Sequence, residues 1–145
     1  PLEIWMIVLG ALTLASAIEN TGIAAMLAQN IEGFLHGQSI YIAFVIIFLL
    51  TLIMTELITN SAAAALAFPI AYNIALGLGV DPTPFVMAVA FAASGSFISP
   101  YGYQTNVMVY NAGNYQLKDF VRFGLPISLI YSATVILVIP IVYPF

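Results

Sequence analysis

Long apolar stretches interrupted by two short polar islands set the pattern of this chain. The first stretch covers about residues 2–29 and carries Gly10 and the sequence Ser16-Ala17-Ile18-Glu19-Asn20-Thr21-Gly22. Glu19, Asn20 and Gly22 mark a membrane exit or a break within it. A polar connection, Asn30 to Ser39, leads to a second stretch from Ile40 to about Ile58, rich in Ile, Leu and Phe. The first island, Thr55-Glu56-Leu57-Ile58-Thr59-Asn60-Ser61, closes that stretch, and a third, Ala62 to Leu76, opens on four alanines. Small residues there allow close helix packing in a membrane. Pro69 sits mid-helix, where neighbours can satisfy the freed carbonyl. Residues 77–84 read as a Gly- and Pro-rich loop, with Thr83 as N-cap and Pro84 in the first turn of the next helix. That helix, Phe85 to about Phe97, is only some 20 Å long and too short to span alone.

The second island follows: Ser99-Pro100-Tyr101-Gly102-Tyr103-Gln104-Thr105-Asn106. A brief helical piece near Val107 to Tyr110 and a loop from Asn111 to Asp119 lead into the last stretch, Phe120 to Tyr143. It is long enough to span, and Pro126 and Pro140 bend it. Islands of amide, hydroxyl, Gly and Pro are tolerated at membrane depth only against protein or a water-filled cavity.

Composition makes the membrane assignment firm. The chain is 63% hydrophobic and 6% charged over 145 residues, and charge-free runs such as Leu57–Val80 and Pro82–Leu117 exceed what a soluble domain buries. There is no cysteine, hence no disulfide, thiolate metal site or cysteine nucleophile. Lys118 and Arg122 are the only fixed cations against a net charge of −4, which argues against nucleic-acid binding. Neither a metal-ligand cluster nor a Ser/His pair lies in the apolar segments, so an intramembrane hydrolase is disfavoured and the chain reads as a non-enzyme. His36 is isolated in a loop. Starting at Pro1 without a signal-peptide pattern, the chain reads as one membrane segment, 1–145, from the tail of a longer protein.

Both cations sit at the start of the last stretch. The positive-inside tendency puts that end in the cytoplasm of a prokaryotic cell membrane and the C-terminus outside. If the second and third stretches form a re-entrant pair, Pro1 is inside and the acidic residues Glu19, Glu32 and Asp81 are outside. The absence of Lys and Arg near 56–61 favours that arrangement over two full spans.

Chemistry follows from where helices end. A helix N-terminus presents unpaired N–H groups and partial positive charge and binds anions without Lys or Arg. A helix C-terminus presents carbonyls that suit Na⁺. At Thr59-Asn60-Ser61 one helix ends and another begins. The second island repeats the device, with Pro100 breaking the ladder and Gly102 admitting close backbone approach. Glu56 is an intramembrane carboxylate, a proton-site or cavity candidate, or else an acid hydrogen-bonded near the tip. Ser94 and Ser96 either line a cavity or permit close packing. The bland reading of Asn60 is a polar cluster tying helices together, and of Thr59 and Ser61, bonding to their own helix.

At these residues the chain resembles a known family. Thr59-Asn60-Ser61, with the alanine run and Phe68-Pro69-Ile70, resembles the second Ser-Asn-Thr signature of the divalent anion/sodium symporters, carriers of dicarboxylates, citrate or sulfate. Ser99 to Tyr110 is similar to the broken-helix loop of that family, and Gly102-Tyr103-Gln104-Thr105-Asn106 is most similar to its bacterial sulfate-permease-like branch. Residues 17–22 are similar to the segment ahead of its outer hairpin. The resemblance covers essentially the whole chain.

The resemblance implies an all-α integral membrane fold. It would consist of a re-entrant helical hairpin plus a discontinuous transmembrane helix, one half of an inverted-repeat transporter. It implies Na⁺ as coupling ion, with H⁺ an open alternative, held among Thr59, Asn60, Ser61, Gly102 and Asn106. A small inorganic or organic divalent anion would touch Asn60 and Ser61 with Tyr103, Gln104 and Thr105 nearby. No other cofactor is implied. The expected partners are lipid, the N-terminal half of the transporter and a second copy in a homodimer. Two departures stand out. The tip reads Thr-Asn-Ser instead of Ser-Asn-Thr, and the family's Thr-Pro-Pro-Asn reads Tyr103-Gln104-Thr105-Asn106. Two other readings stay open: an arsenite or Na⁺/H⁺ carrier of the same superfamily, motivated by Glu56, and a non-transporting membrane module.

Overall fold

In the computed structural model the described residues are 39–145 and, before them, positions 5, 6, 9, 10, 13, 16, 17, 20–23, 26, 29, 30 and 33. The expectations for Glu19, Glu32 and His36 fall outside the described residues. Within the first stretch Thr21 and Gly22 form a turn between helical positions, and Gly22 takes a positive φ of 74°.

Five helices follow, and no strand occurs among the described residues: α1 (Ile40–Leu57), α2 (Asn60–Gly77), α3 (Thr83–Ala93), α4 (Gln104–Ala112) and α5 (Leu117–Val142). Helices α1 and α5 are long and apolar enough to cross a membrane. Only Ile58 and Thr59 separate α1 from α2, so the two fold back on each other as a hairpin. The short α3 is the hub, packing against α1, α2 and α5. Its small face, Ala88, Ala92 and Ala93, is fully or almost fully buried and lets those backbones come close. Phe44, Phe48 and Phe85 complete the core, with Phe44 and Phe85 edge to face at 6.2 Å.

Several boundaries differ from the sequence expectation. Helix α3 ends at Ala93, not near Phe97, because Ser94 and Gly95 turn back onto Phe91 O and Ala92 O at 3.1 and 3.0 Å. The brief piece after the second island is a nine-residue helix starting at Gln104, and the loop before α5 shrinks to residues 113–116. A capping box between Gln116 and Asp119 starts α5 three residues early. Thr83 is not the N-cap. It is the first helical residue, and its N–H donates to Asp81 Oδ1 at 2.8 Å. Hydrogen bonds from the Thr83 side chain and backbone hold the exposed Asp81 carboxyl below its ordinary range.

The long helix α5 meets the second island at Gly124. A side chain there would run into the carbonyl oxygen of Phe97 and the Cα of Ile98. Tyr131, two turns on, donates to Phe91 O at 2.8 Å and stacks edge-on against Phe97 at 5.2 Å. We therefore expect Gly124→Ala to destabilise the full-length protein by roughly 1–3 kcal/mol through overpacking. Thermal melting of the detergent-purified variant against wild type checks this, and an unchanged melting temperature would refute the close approach.

Candidate functional site

The two islands converge. Thr55, fully buried on the last turn of α1, donates its hydroxyl proton to Ala93 O at the end of α3, 2.7 Å away. The Asn60 amide lies 2.8 Å from the same Thr55 oxygen. A hydroxyl has one proton, and Thr55 spends it on Ala93, so the amide presents its nitrogen there. In that orientation the nitrogen also reaches Ala93 O at 3.1 Å and Gly102 O at 3.2 Å. One side chain at the hairpin tip thus holds the end of α3 and the segment that leads into α4. Gly102 is required at this approach, since a Cβ would strike Ser96 Oγ and Thr55 O.

Between α3 and α4 the backbone is not helical, and its N–H groups need partners. Glu56 supplies them. Its Oε1 accepts from Phe97 N and Ile98 N at 3.0 Å each, and its Oε2 from Ser99 N at 2.6 Å and Ser96 Oγ at 3.4 Å. Ser96 is buried, so the two serines near the break differ. Ser94 is exposed and bonds Ala90 O of its own helix at 3.0 Å. From α4, Asn106 Nδ2 donates to Ser96 O at 3.1 Å and Ser99 O at 3.4 Å. Tyr101 N closes the turn on Ser99 Oγ at 3.1 Å.

Two helix N-termini open beside this knot. Thr59 caps α2, its hydroxyl accepting from Ala62 N at 3.3 Å while its carbonyl takes Ala63 N at 2.9 Å. The N–H groups of Asn60 and Ser61 are left without a partner inside the helix. At α4 no side chain caps Tyr103, and the first helical bond is Val107 N to Tyr103 O at 3.2 Å. Gln104, Thr105 and Asn106 therefore also begin a helix with open N–H groups. Thr59, Ser61, Tyr103, Gln104 and Thr105 are all exposed in this chain.

The chain belongs to the sodium:sulfate symporter family. The family described as sodium:sulfate symporter transmembrane region matches residues 3–144. An uncharacterized transporter of Synechocystis is 37% identical over 144 residues, covering 97% of this chain and 23% of that protein. Sodium/sulfate cotransporter 2 of Chlamydomonas reinhardtii is 35% identical over 130 residues, 88% of this chain and 14% of its own length. The sodium-dependent dicarboxylate transporter SdcS of Staphylococcus aureus is 28% identical over 135 residues, 93% and 26%. The chain thus spans about a quarter or less of these relatives. Membership places it among membrane transporters and not among enzymes, as the sequence indicated.

Placed in the structure, the expected residues fall into two groups. Asn60 with Gly102, and Glu56 with Ser96 and Asn106, form two hydrogen-bonded sets that meet where Gly102 packs on Ser96. Thr59, Ser61, Tyr103, Gln104 and Thr105 form their exposed rim, and Ser94 belongs to neither group. The sequence reading assigned no role to Thr55 or to the hydroxyl of Ser99. Thr51 and Thr55, one turn apart and both fully buried, were the available signal, a polar stripe on an otherwise apolar helix. A cavity of about 310 Å³, lined by Phe97, Asn106, Val109, Phe120, Phe123 and Ile127 among others, lies beside α4 and α5 and does not include the rim residues.

Thr55→Val keeps the shape but removes one hydrogen bond from Ala93 O and one from the Asn60 amide, which keep each other. We expect about 1 kcal/mol of destabilisation, with Thr55→Ser close to wild type. Melting curves of the two variants in the full-length protein decide it, and equal stability of Thr55→Val and wild type would refute the link.

Proposed function

We propose that this chain is the part of a cation-coupled symporter that carries one of its paired solute and ion sites, moving a small divalent anion, sulfate or a di- or tricarboxylate, with Na⁺. The observation that carries this reading is the Asn60 contact between hairpin tip and helix break. It brings the start of α2 against the carbonyl at the end of α3 and the carbonyl of Gly102, just ahead of α4.

The division of labour follows from polarity. Asn60 and Asn106 both turn their nitrogens inward onto carbonyls. Their Oδ1 atoms would serve a hard cation, which prefers oxygen ligands. Gly102 contributes backbone at the same place, and Thr59 and Ser61 offer hydroxyl oxygens. The anion would sit over the N–H groups of Asn60, Ser61, Gln104 and Thr105, with the Ser61 and Thr105 hydroxyls, the Tyr103 phenol and the Gln104 amide as further donors. No formal positive charge lies in either island, so the bound cation supplies it.

In the membrane, α1 and α2 would form a re-entrant hairpin with its tip at Thr59 to Ser61. Helices α3 and α4 would be the two halves of a discontinuous helix, and the C-terminus would lie outside. Relatives bearing sodium/sulfate and sodium-dependent dicarboxylate names support the substrate class and the coupling ion. The whole transporter would supply a matching half-site from the rest of its length, as an inverted repeat does.

The test is uptake of labelled sulfate and of succinate by the full-length protein in proteoliposomes, with and without an inward Na⁺ gradient. Gradient-driven uptake of one of them is expected. Asn60→Ala should lower that uptake at least about tenfold, since it removes a ligand oxygen and the tip-to-break contact at once. Wild-type uptake by Asn60→Ala would overturn the assigned site.

A further inference from the structure

Glu56 accepts three consecutive backbone N–H groups, those of Phe97, Ile98 and Ser99. In a planar trans peptide the N–H of one residue and the C=O of the residue before it point in opposite directions. Three N–H groups turned onto one carboxylate therefore turn the carbonyls of Ser96, Phe97 and Ile98 away from it. Two of these carbonyls are accounted for on the far side. Ser96 O receives Asn106 Nδ2 at 3.1 Å, and Phe97 O lies against the bare Cα of Gly124 on α5. The carboxylate thus fixes peptide planes on one side of the break, and those planes fix the Asn106 amide on the other. With both amide hydrogens committed to Ser96 O and Ser99 O, the oxygen is the part of the Asn106 amide left for a ligand.

We infer that Glu56 is a positioning residue for the cation: its carboxylate clamps residues 96–99 so that the Asn106 oxygen is held ready to ligate Na⁺. The inference rests on the cation site proposed above. Glu56 is the penultimate residue of α1, three residues before the tip begins at Thr59, so the same side chain ties the hairpin to the break some forty residues later in the chain. Its acceptor positions are taken up by four donors of the break. A carboxylate engaged in this way works as an internal anion that replaces water for a stretch of broken helix. Outer-shell groups that orient a metal ligand change metal affinity by roughly 10–100-fold when removed.

The experiment is Glu56→Gln in the full-length protein. The amide keeps one acceptor oxygen and sets an NH₂ against backbone N–H groups, so the clamp opens at similar side-chain volume. In proteoliposome uptake, the Na⁺ concentration giving half-maximal rate should rise roughly 10–100-fold. The maximal rate at saturating Na⁺ and the half-saturating anion concentration measured there should stay within about threefold. An unchanged half-saturating Na⁺ concentration overturns the inference, whether the maximal rate is preserved, as for a side chain the cation never depends on, or reduced, as for a merely structural loss.

Hydrogen exchange of the amides of Phe97, Ile98 and Ser99 tests the clamp without transport. In the wild-type protein they should exchange as slowly as helix-interior amides although they lie in no helix. Fast exchange there overturns the clamp even if Glu56→Gln does not fold. Slow exchange in a protein that carries neither sulfate nor succinate with Na⁺ would instead place the failure in the proposed function.

Discussion

Backbone that leaves a helix inside an apolar setting must find partners for its N–H and C=O groups, because no solvent supplies them. Everything at the centre of this chain follows from how that demand is met around residues 93–103. The carbonyls at the end of α3 go to side chains: Phe91 O to Tyr131 and Ala93 O to Thr55 and Asn60. The following N–H groups go to Glu56. The next carbonyls go to Asn106. The partners come from all four of the other helices, α1, α2, α4 and α5, so satisfying the break is the same act as assembling the fold. No buried side-chain nitrogen or oxygen among the described residues is left without a partner, and the polar knot is therefore one that rigidifies instead of weakening the core.

This explains why the shortest of the apolar helices sits in the middle. Helix α3 has eleven residues, too few to span a bilayer, and presents alanines on the faces that meet α1, α2 and α5. Small side chains admit the backbone-to-backbone distances at which a threonine hydroxyl or an asparagine amide can reach a neighbouring main chain. Larger residues would separate the helices and strand those polar tips. At Gly102 and Gly124 a methyl group would strike backbone, Thr55 O in the one case and Phe97 O in the other.

Much of this was legible in the sequence, and the part that was not has a common cause. Helix positions and the break after the fourth stretch follow from apolar run lengths and from Gly, Pro and amide content, which are local signals, whereas the meeting of the hairpin tip with the break was implied by the family resemblance. Boundaries near the islands were misjudged because caps decide them. Ser94 and Gly95 turn α3 off early, and the Gln116–Asp119 box starts α5 early. Glu56 drew notice as an intramembrane acid, yet its partners are backbone groups about forty residues away, and backbone donors carry no sequence signature. Thr55 was overlooked for the same reason: its partners, a main-chain oxygen and an amide, become visible only once α1 and α3 are packed. Within residues 17–22, Ala17, Asn20, Thr21 and Gly22 are described, and Thr21 and Gly22 form a turn where an exit or a break was expected.

The charge balance of the proposed site bears on why an ion should be coupled to an anion here at all. Each helix N-terminus is equivalent to about half a positive charge. Those of α2 and α4 together oppose roughly one of the two negative charges on a divalent anion. Glu56 cannot help, since its own charge is matched to the N–H groups of the break. A monovalent cation held by the Asn60 and Asn106 oxygens close to the anion would supply the remainder. At about 5 Å and an effective dielectric of about 20, one cation against two negative charges contributes on the order of 7 kcal/mol before desolvation is deducted. Even a fraction of that makes anion binding dependent on the cation, and by linkage the dependence is mutual. A site built this way has no need of lysine or arginine. A fixed positive charge would keep the anion bound whether or not the cation was present, and so would uncouple the two.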